Sequence, residues 1–356
     1  MPSERKFRWL GLALSTLGFL SFVDFCHDHH LNRQQTSCRV GKRILEVRRG
    51  GLHESPPCIV DQYTTLVETV RHEDGGVELG AAPVYSRPVP GSTLTKEVSR
   101  DQRGQTLLEK VKPHLALASS DAVAALGSEP FLFPRKILGQ LLLWVACDPE
   151  FDHCAWQERL RNFDNPPFAA CWTEQKNFGL PCLAMFLQDT GATWKRWPDY
   201  GAAFEQLAAP RAGTKSDYYR IVAFALGSLQ AAVYSEVDAA TEDGATIELK
   251  TISPRGRENF ADQRLISLCF QMLTCGCKNL CLGTVDNEGQ LVDVEEMSLK
   301  ELSAWLARSG AEVSVLLGRV AAALAEIRSA CLRERDSASS FTIHVEGDAL
   351  CVDVVE

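Results

Sequence analysis

The sequence predicts a mixed α/β (or α+β) fold, in which a single mixed-sheet domain is flanked by helices. Short apolar runs such as "FAACW" and "LAMFL" are typical of buried strands, and longer runs with helical spacing of apolar residues are typical of helices. The two kinds of segment lack the regular strand–helix alternation of a doubly wound fold. A chain of 356 residues with 45% hydrophobic content can also form a sizeable core.

The predicted elements follow a loop-rich stretch that ends near residue 100. Helices are expected over 100–125, 135–147, 259–273, 298–308 and 311–335, and another begins at "DYGAAFEQLA". Strands are expected within 166–189, over "NLCLGTV", and in a C-terminal hairpin that turns at Gly347. The segment "YYRIVAFALGSLQAAVYSEVDAA" is predicted to pass from a helix or strand into another strand.

Residues 1–45 are predicted to form an N-terminal extension, and residues 46–356 the main domain. Three basic residues precede an uncharged, largely apolar run from Trp9 to Val23. This order is typical of a signal peptide, although a transmembrane helix needs roughly twenty residues. A signal or anchor segment, an amphipathic helix and an unrelated extension are the three interpretations.

The net charge of −9 argues against a generally basic surface that coats nucleic acid. It is compatible with a local basic groove, or with a site where metal ions offset phosphate charge. We expect no stable DNA or membrane partner.

The thirteen cysteines are spread from Cys26 to Cys351, without the tight spacing of a small disulfide scaffold. Most have apolar neighbours, among which a reduced cysteine acts as a small hydrophobic residue. The pattern favours a reducing compartment, either nuclear or cytoplasmic, and the apolar N-terminal run leaves a signal or anchor as the alternative.

The segment "YSEVDAATEDGATIELKT" predicts a hairpin of two short strands joined by an acidic turn. Because alternate residues of a strand face the same side, Glu236 and Asp238 share a face, as do Glu248 and Lys250. Three carboxylates on one face repel one another, and a divalent cation would remove this conflict. On this interpretation, removing one carboxylate leaves the fold intact or stabilises it.

Asp238, Glu248 and Lys250 have the D-x9-E-x-K spacing of a PD-(D/E)XK nuclease motif. Carboxylates suit Mg²⁺ or Mn²⁺, and two such ions can hold both oxygens of a phosphodiester displacement. A lysine on the same face can stabilise developing negative charge. The alternative is a solvated hairpin face, but the apolar flanks "AAVY" and "TIEL" favour buried strands.

These residues resemble the E-x-D and E-x-K motifs of the DXO-type decapping exoribonuclease family. Four further segments are similar to that family in the same order: "VYSRPVPGSTLTKE", "FPRKILGQLL", "YGAAFE" and "FALGSLQAAVYSEVDA". The resemblance covers about residues 60–350 and is strongest over 200–290. It implies a single nuclease domain with a PD-(D/E)XK-like core.

The resemblance implies a divalent metal site, of Mg²⁺ or Mn²⁺, with two ions. Direct ligands would be the carboxylates of Glu205, Asp238 and Glu248 and the backbone carbonyl of Leu249. Glu236 would be catalytic and would contact the metal through water.

The resemblance also assigns groups to the substrate. Lys250 would be catalytic and would lie beside the scissile phosphate, while Arg135 and Gln271 would contact RNA or cap phosphates. The alternative for Arg135 is a surface salt bridge, and for Gln271 a helix-surface residue.

The activity implied is hydrolysis of defective or NAD caps at RNA 5′ ends, with 5′–3′ exoribonuclease action as a second activity. The partner would be a capped, NAD-capped or 5′-phosphorylated RNA end, and a separate 5′–3′ exoribonuclease is a candidate protein partner. The alternatives are a DNA endonuclease of the wider PD-(D/E)XK group and a weakly active partner that stabilises another exoribonuclease.

One position departs from the family pattern. Where the family has a Gly-hydrophobic-Arg motif, this chain has Gly283-Thr284-Val285, so a phosphate-binding arginine is missing. Arg264 or Lys278 could substitute for it. If the strand accepts a longer side chain, Val285→Arg is expected to tighten RNA binding.

Overall fold

The structure is a computed structural model. It describes residues 40–72, 74–96, 107–124, 126, 130–146, 168–175, 180–187, 199–210, 217–258, 262–308, 312–338 and 340–355. The N-terminal apolar run at Trp9–Val23 lies outside the described residues.

The described strands are β1 (Val40–Arg48), β2 (Thr64–Arg71), β3 (Val77–Leu79), β4 (Phe131–Pro134), β5 (Phe168–Gln175), β6 (Leu180–Leu187), β7 (Asp217–Leu226), β8 (Leu229–Glu236), β9 (Ala239–Ala240), β10 (Thr246–Ile252), β11 (Asn279–Val285), β12 (Leu291–Ser298), β13 (Ser340–Glu346) and β14 (Ala349–Val355). The described α-helices are α1 (Leu107–Leu115), α2 (Ser120–Ala124), α3 (Arg135–Ala146), α4 (Gly201–Ala208), α5 (Pro254–Glu258), α6 (Asp262–Cys275), α7 (Leu299–Arg308) and α8 (Val313–Arg333).

The strands form two mixed sheets. The ten-stranded sheet has the order β1-β14-β13-β5-β6-β4-β8-β7-β2-β3, and the four-stranded sheet has the order β12-β11-β10-β9. In the first sheet β4 is parallel to β6 and β8, and in the second β10 is parallel to β11. The connection from β10 to β11 runs through α5 and α6. The predicted mixed α/β fold is confirmed, with two sheets in place of one.

Three apolar clusters hold these layers together. The largest lies where α3, α6, α7 and α8 pack together and against strands of both sheets. A second lies under α1, against β2, β7 and β8, and includes Val111 and Leu115. The third joins α4 to the four-stranded sheet, where Phe204 packs with Ile247 and Leu249. The four-stranded sheet is therefore covered by helices on both faces.

Most of the predicted elements are confirmed. Helices α3, α7 and α8, strands β5, β6 and β11, and the β13–β14 hairpin lie where the sequence predicts them. The segment from Tyr218 forms two strands, β7 and β8. The helix predicted over 100–125 is present in its described part as two helices, α1 and α2, and Pro113 lies inside the first.

The predicted hairpin around the acidic turn is wrong in one respect. Its first strand, β8, belongs to the ten-stranded sheet, while only Ala239 and Ala240 pair with β10. The turn itself is present, since Gly244 donates its N–H to the carbonyl of Thr241 and has a φ of +82°. The chain therefore crosses from one sheet to the other at Val237 and Asp238.

Strand β1 begins at Val40, inside the predicted 1–45 extension, and pairs antiparallel with β14. The extension, as far as it is described, thus contributes an edge strand to the ten-stranded sheet. Among the described helices, none has both the length and the apolar character needed to cross a membrane.

Candidate active site

The candidate site lies where the two sheets meet. Strands β4 and β8 are parallel neighbours, and Pro134 at the end of β4 is paired with Tyr234. Because parallel strands end at the same edge of a sheet, Arg135, which begins α3, lies next to Glu236, which ends β8. Two residues further, Asp238 lies in the crossing to the four-stranded sheet. The fold thus brings together residues that are about one hundred positions apart in the sequence.

Asp238 is fixed by the strand that carries the rest of the motif. Its Oδ2 accepts a hydrogen bond of 2.9 Å from the backbone N–H of Leu249. The neighbouring pair, Ala239 with Ile247, anchors β9 to β10. Asp238 is only 6% exposed and Glu248 only 2% exposed, so this is not the solvated hairpin face of the alternative interpretation.

Three oxygen atoms converge on the ammonium of Lys250. Its Nζ lies 2.8 Å from Glu248 Oε1, 2.9 Å from the carbonyl oxygen of Leu249 and 3.3 Å from Asp238 Oδ2. These are three of the predicted metal ligands, and the ammonium stands in for a cation among them. Two carboxylates and a carbonyl are the hard donors that Mg²⁺ and Mn²⁺ prefer, so the residues fit such an ion.

Arg135 forms the second ion pair of the site. Its Nη1 donates to Glu248 Oε2 at 2.5 Å. Burial alone would raise the pKa of Glu248, but the charges of Arg135 and Lys250 outweigh it and hold that pKa well below its ordinary value. Glu248 is therefore a buried carboxylate that stays ionised.

This arrangement corrects the expectation that repulsion dominates the motif. Because Arg135 and Lys250 offset the carboxylates, removing Glu248 would take away the ion pair of Arg135 and leave Lys250 with Asp238 as its carboxylate partner. Such a change costs stability, because an uncompensated buried charge is unfavourable.

Glu236 lies at the acidic side of the site. Glu236 ends β8 and is exposed to solvent, and the surrounding protein, together with the negative charges of Asp238 and Asp217, raises its pKa above the ordinary value. Asp217, which begins β7, was not found from the sequence, because it lies in a different strand and outside every motif. The excess of negative charge at this side favours a cation.

Glu205 lies on α4, next to Phe204, whose buried ring packs on the four-stranded sheet. Its helix therefore faces β10, as the prediction requires. Within the described residues, however, the oxygens of Glu205, Asp238 and Glu248 do not form a cluster within 4.8 Å of one another. A direct role for Glu205 stays a prediction.

Gln271 lies on α6, one turn before Cys275, whose thiol donates to the Gln271 carbonyl at 3.1 Å. A hydrogen bond with Cys277 and the nearby charge of Arg135 lower the pKa of Cys275. Gln271 is thus on the helix that borders the site, and its predicted contact with substrate stays a prediction. Cys275, in the segment "CGC", is a buried neighbour of the site that has no role among the predicted site residues.

Val285 occupies the position of the missing arginine, and it is only 2% exposed. It packs in the cluster that joins α4 to the four-stranded sheet, with Phe204 and Leu249. The condition set for Val285→Arg, that the strand accepts a longer side chain, is not favoured at this buried position, so we expect the change to destabilise the sheet. Of the two suggested substitutes, Lys278 is exposed, and the side chain of Arg264 lies outside the described residues.

Comparison with known proteins agrees with this geometry. Residues 193–356 match the family described as RAI1-like PD-(D/E)XK nuclease. This range includes every predicted site residue except Arg135. No curated protein matches the chain by sequence.

Solved structures of similar fold cover most of the chain. Rai1 of S. pombe, solved in complex with 3′-FADP, is 16% identical with a TM-score of 0.67, over 88% of this chain and 99% of that one. Rai1 of Candida albicans, in complex with pU5 and Mn²⁺, is 13% identical with a TM-score of 0.62, over 89% and 94%. Dxo1 of K. lactis, in complex with manganese, is 12% identical with a TM-score of 0.58, over 89% and 97%. The fold of this chain is that of these structures.

Proposed function

We propose that this chain, whose residues 193–356 match the RAI1-like PD-(D/E)XK nuclease family, is a divalent-metal-dependent hydrolase of RNA 5′ ends. It hydrolyses the phosphodiester or pyrophosphate linkages of defective or NAD caps, with 5′–3′ exoribonuclease action as a second activity. The observation that carries the proposal is the convergence of Glu248, Asp238 and the Leu249 carbonyl on one ammonium, inside a buried pocket of charge.

The ligands of the similar structures support the substrate class. The 3′-FADP of S. pombe Rai1 contains a pyrophosphate that links two nucleotide halves, as a dinucleotide cap does. The pU5 of C. albicans Rai1 is a short RNA, and it is bound with Mn²⁺. We therefore propose that the same site of this chain accepts both a dinucleotide cap and an RNA end.

The metal ligands in this proposal are Glu205, Asp238, Glu248 and the Leu249 carbonyl. When bound, two Mg²⁺ or Mn²⁺ ions supply Lewis-acid activation of the phosphate and of the attacking water. Asp238 is held in place by the N–H of Leu249.

The remaining residues orient the metal ligands, stabilise the charge that develops on the phosphate and accept a proton. Arg135 keeps Glu248 ionised and fixes its orientation through their hydrogen bond. Lys250 places a positive charge beside these oxygens, where it stabilises the negative charge that develops on the phosphate. Glu236 accepts a proton at its carboxylate from the attacking water, and Gln271 and Arg135 contact the substrate phosphates.

We also propose a cellular location and a protein partner for the enzyme. The odd number and wide spread of the cysteines support a nuclear or cytoplasmic location, and the seven free cysteines whose side chains the structure describes are all buried. A 5′–3′ exoribonuclease is the proposed protein partner.

The test is a panel of one RNA sequence with different 5′ ends, incubated with the full chain and Mn²⁺. The ends are an NAD cap, an unmethylated guanosine cap, a monophosphate and a hydroxyl, and a circular copy of the same RNA is included. We expect removal of the NAD or unmethylated cap and no cleavage of the circle. Glu248→Gln is the inactive control, and Glu288→Gln, an exposed glutamate on the turn after β11, is the matched active control.

Equal cleavage of linear and circular RNA would instead identify an endonuclease. Inactivity on every RNA, together with stimulation of an added 5′–3′ exoribonuclease, would identify a stabilising partner. Either outcome overturns the decapping proposal.

A further inference from the structure

A second cluster of metal-binding residue types lies at the β1 edge of the ten-stranded sheet. His344 and Glu346 are on β13, Cys351 and Asp353 are on β14, and Arg43 is on β1. His344 is paired with Cys351, and Arg43 with Asp353. Because paired residues and alternate residues share a face, all five side chains lie on the same face of the sheet.

The atoms of this cluster are close enough to share one ion. A ring nitrogen of His344, an oxygen of Glu346 and the sulfur of Cys351 all lie within 4.8 Å of one another. His344 Nε2 is 2.9 Å from Glu346 Oε1. These separations suit a small metal ion, whose bonds to nitrogen, oxygen and sulfur are about 2.0–2.3 Å long.

Asp353 gives a second, independent indication. The residue is 1% exposed, and its Oδ2 is buried and accepts no hydrogen bond from the described part of the chain. That oxygen lies 3.6 Å from His344 Nδ1, on the side of the ring opposite Glu346. A histidine that binds metal through one nitrogen usually has its other nitrogen directed at a carboxylate. Asp353 is placed to serve as that carboxylate.

We propose that His344, Glu346 and Cys351 form a binding site for one divalent transition-metal ion, of which Zn²⁺ is the type. Imidazole nitrogen, thiolate sulfur and carboxylate oxygen are the three donor types that Zn²⁺ uses in proteins, with water as the fourth ligand. Cys351 releases its proton to solvent on binding and becomes a thiolate. Asp353 positions the ring of His344 and does not touch the ion.

The set of ligands distinguishes this site from the candidate active site. The active site offers oxygen donors only, which suit Mg²⁺ or Mn²⁺, while a thiolate and an imidazole select a softer ion. Five strand steps separate β14 from β8 in the sheet order, so the two sites are about 24 Å apart at ~4.8 Å per step. An ion at one site therefore leaves the other free.

In the structure, Arg43 provides the positive charge of the cluster. Its guanidinium donates to both oxygens of Glu346, at 2.9 and 3.0 Å, and to Asp353 Oδ1 at 2.9 Å. Two carboxylates and one guanidinium leave a net charge of −1. A divalent ion together with deprotonation of Cys351 brings the net charge to zero. Arg43 retains Asp353 when the ion takes over Glu346.

An ion can reach this site from solvent. Cys351 is buried, but the side chains of His344 and Glu346 are partly exposed and form its outer side. A bound ion would also link the two strands of the C-terminal hairpin close to its turn at Gly347.

The first test measures Zn²⁺ in the full chain after loading and dialysis. The background is the Glu248→Gln variant, which removes one oxygen ligand of the active site and so suppresses ions there. We expect one retained Zn²⁺ per chain, and an affinity lowered more than about 100-fold by His344→Ala or Cys351→Ser. Asp353→Asn should lower it by about 10–100-fold, as expected for a residue that acts through a ligand.

The second test begins with the unmodified chain and uses nuclease activity to show that the variants are folded. Co²⁺ is added to the unmodified chain, and the ultraviolet absorption that arises from a thiolate bound to Co²⁺ is recorded. We expect this absorption in the unmodified chain and its loss in Cys351→Ser, while both chains retain the same nuclease activity. Arg43→Gln should raise the affinity for Zn²⁺, because the competing guanidinium is removed. Absence of the thiolate absorption, or Zn²⁺ retention unchanged by Cys351→Ser and His344→Ala, would overturn the proposal.

Discussion

The four-stranded and ten-stranded sheets both bury titratable side chains, but they balance them differently. In the four-stranded sheet, Glu248 lies between two cations, and one of these, Lys250, also contacts a second carboxylate and a backbone carbonyl. Against the ten-stranded sheet, the buried ring of His114, on α1, lies between Thr69 of β2, 2.6 Å from Nδ1, and Tyr234 of β8, 3.2 Å from Nε2. The first arrangement is charged and converges on one point, whereas the second is uncharged and has one partner for each ring nitrogen.

This difference shows that burial of a titratable group is not in itself a sign of function. The His114 network satisfies its polar atoms within the fold, as buried polar groups generally do. The oxygens around Lys250 are satisfied by a cation that a metal ion could replace. We therefore expect changes at the oxygens around Lys250 to affect catalysis most, and changes at His114 to affect stability with little effect on catalysis.

The largest effect is expected from Glu248→Gln, which keeps the shape of the side chain and removes its charge. Hydrolysis of capped RNA in Mn²⁺ should fall at least about 10³-fold, since a metal ligand and a partner of two cations are lost together. Urea unfolding should show a loss of about 3–5 kcal/mol, because Arg135 and Lys250 lose their shared carboxylate. Glu288→Gln should change neither quantity. Full activity of Glu248→Gln would remove the distinction between the two sheets.

A smaller loss is expected from Lys250→Met, which preserves the length of the side chain without its charge. Turnover should fall about 10²–10³-fold, the usual effect of removing one preorganised electrostatic contact. Metal affinity, measured by titration calorimetry with Mn²⁺, should be retained, because the three oxygens remain. Lys278→Met, at an exposed lysine, is the control. Weaker Mn²⁺ binding with normal turnover at saturating Mn²⁺ would contradict this role for Lys250.

The four-stranded sheet also has a position where a charge has no partner, and Val285→Arg tests the cost of placing one there. The four-stranded sheet has a buried apolar face, and at Val285 we expect a loss of stability of about 3 kcal/mol, from a cation buried without a partner. Val292→Arg, at a 48% exposed position on the adjacent strand β12, should be nearly neutral. The measurement is urea unfolding of both variants. A stable Val285→Arg variant with tighter RNA binding would restore the role of a phosphate-binding residue at this position.

Much of the fold follows from local patterns in the sequence. The apolar runs of β5, β6 and β11 and the helical spacing of α7 and α8 are strong enough to specify those elements without tertiary information. The crossing between sheets at Val237 and Asp238 is not predictable in this way. A single hairpin and a strand that changes sheets show the same alternation of side chains along the sequence. Only the pairing of β8 with β4 and β7 distinguishes them.

The site shows the same division. The spacing of Asp238, Glu248 and Lys250 is a local signal, and the structure brings their charged atoms together. The ion pair from Arg135 depends on the parallel pairing of β4 and β8, and the burial of Val285 depends on where α4 packs. Neither can be found from spacing alone, because both result from contacts between segments far apart in the sequence.

The pH dependence of stability tests the contribution of His114, which lies on α1 against the ten-stranded sheet. Burial, followed by the charge of Arg71, lowers the pKa of His114 to about 4. The unfolded chain takes up this proton near its ordinary pKa of about 6.5. Stability is therefore full above that pKa and falls as the pH drops towards 4, by about 2 kcal/mol between pH 7 and pH 5.

His114→Gln isolates this contribution. Urea unfolding at pH 7 and pH 5 should show a pH-dependent loss that is about 2 kcal/mol smaller in the variant than in the unmodified chain. His53→Gln, at a partly exposed histidine, should keep the full loss. Activity at pH 7 should be retained by all three chains. Equal pH dependence in His114→Gln would mean that other groups cause it.

The smallest effect is expected from removal of residues 1–39. Every predicted site residue lies beyond residue 130, and a chain that begins at Val40 keeps all of β1 and its pairing with β14. Its activity should equal that of the full chain, and its stability should differ by less than about 0.5 kcal/mol, as for changes away from packed features.

A chain that begins at Val47 is the informative control. It lacks Arg43, so Asp353 remains buried without the guanidinium that pairs with it, and thermal unfolding should show a clear loss of stability while activity per folded molecule is retained. If the chain from Val40 fails to fold, residues 1–39 contribute to the core, and the ten-stranded sheet depends on a segment that the sequence assigns to an extension.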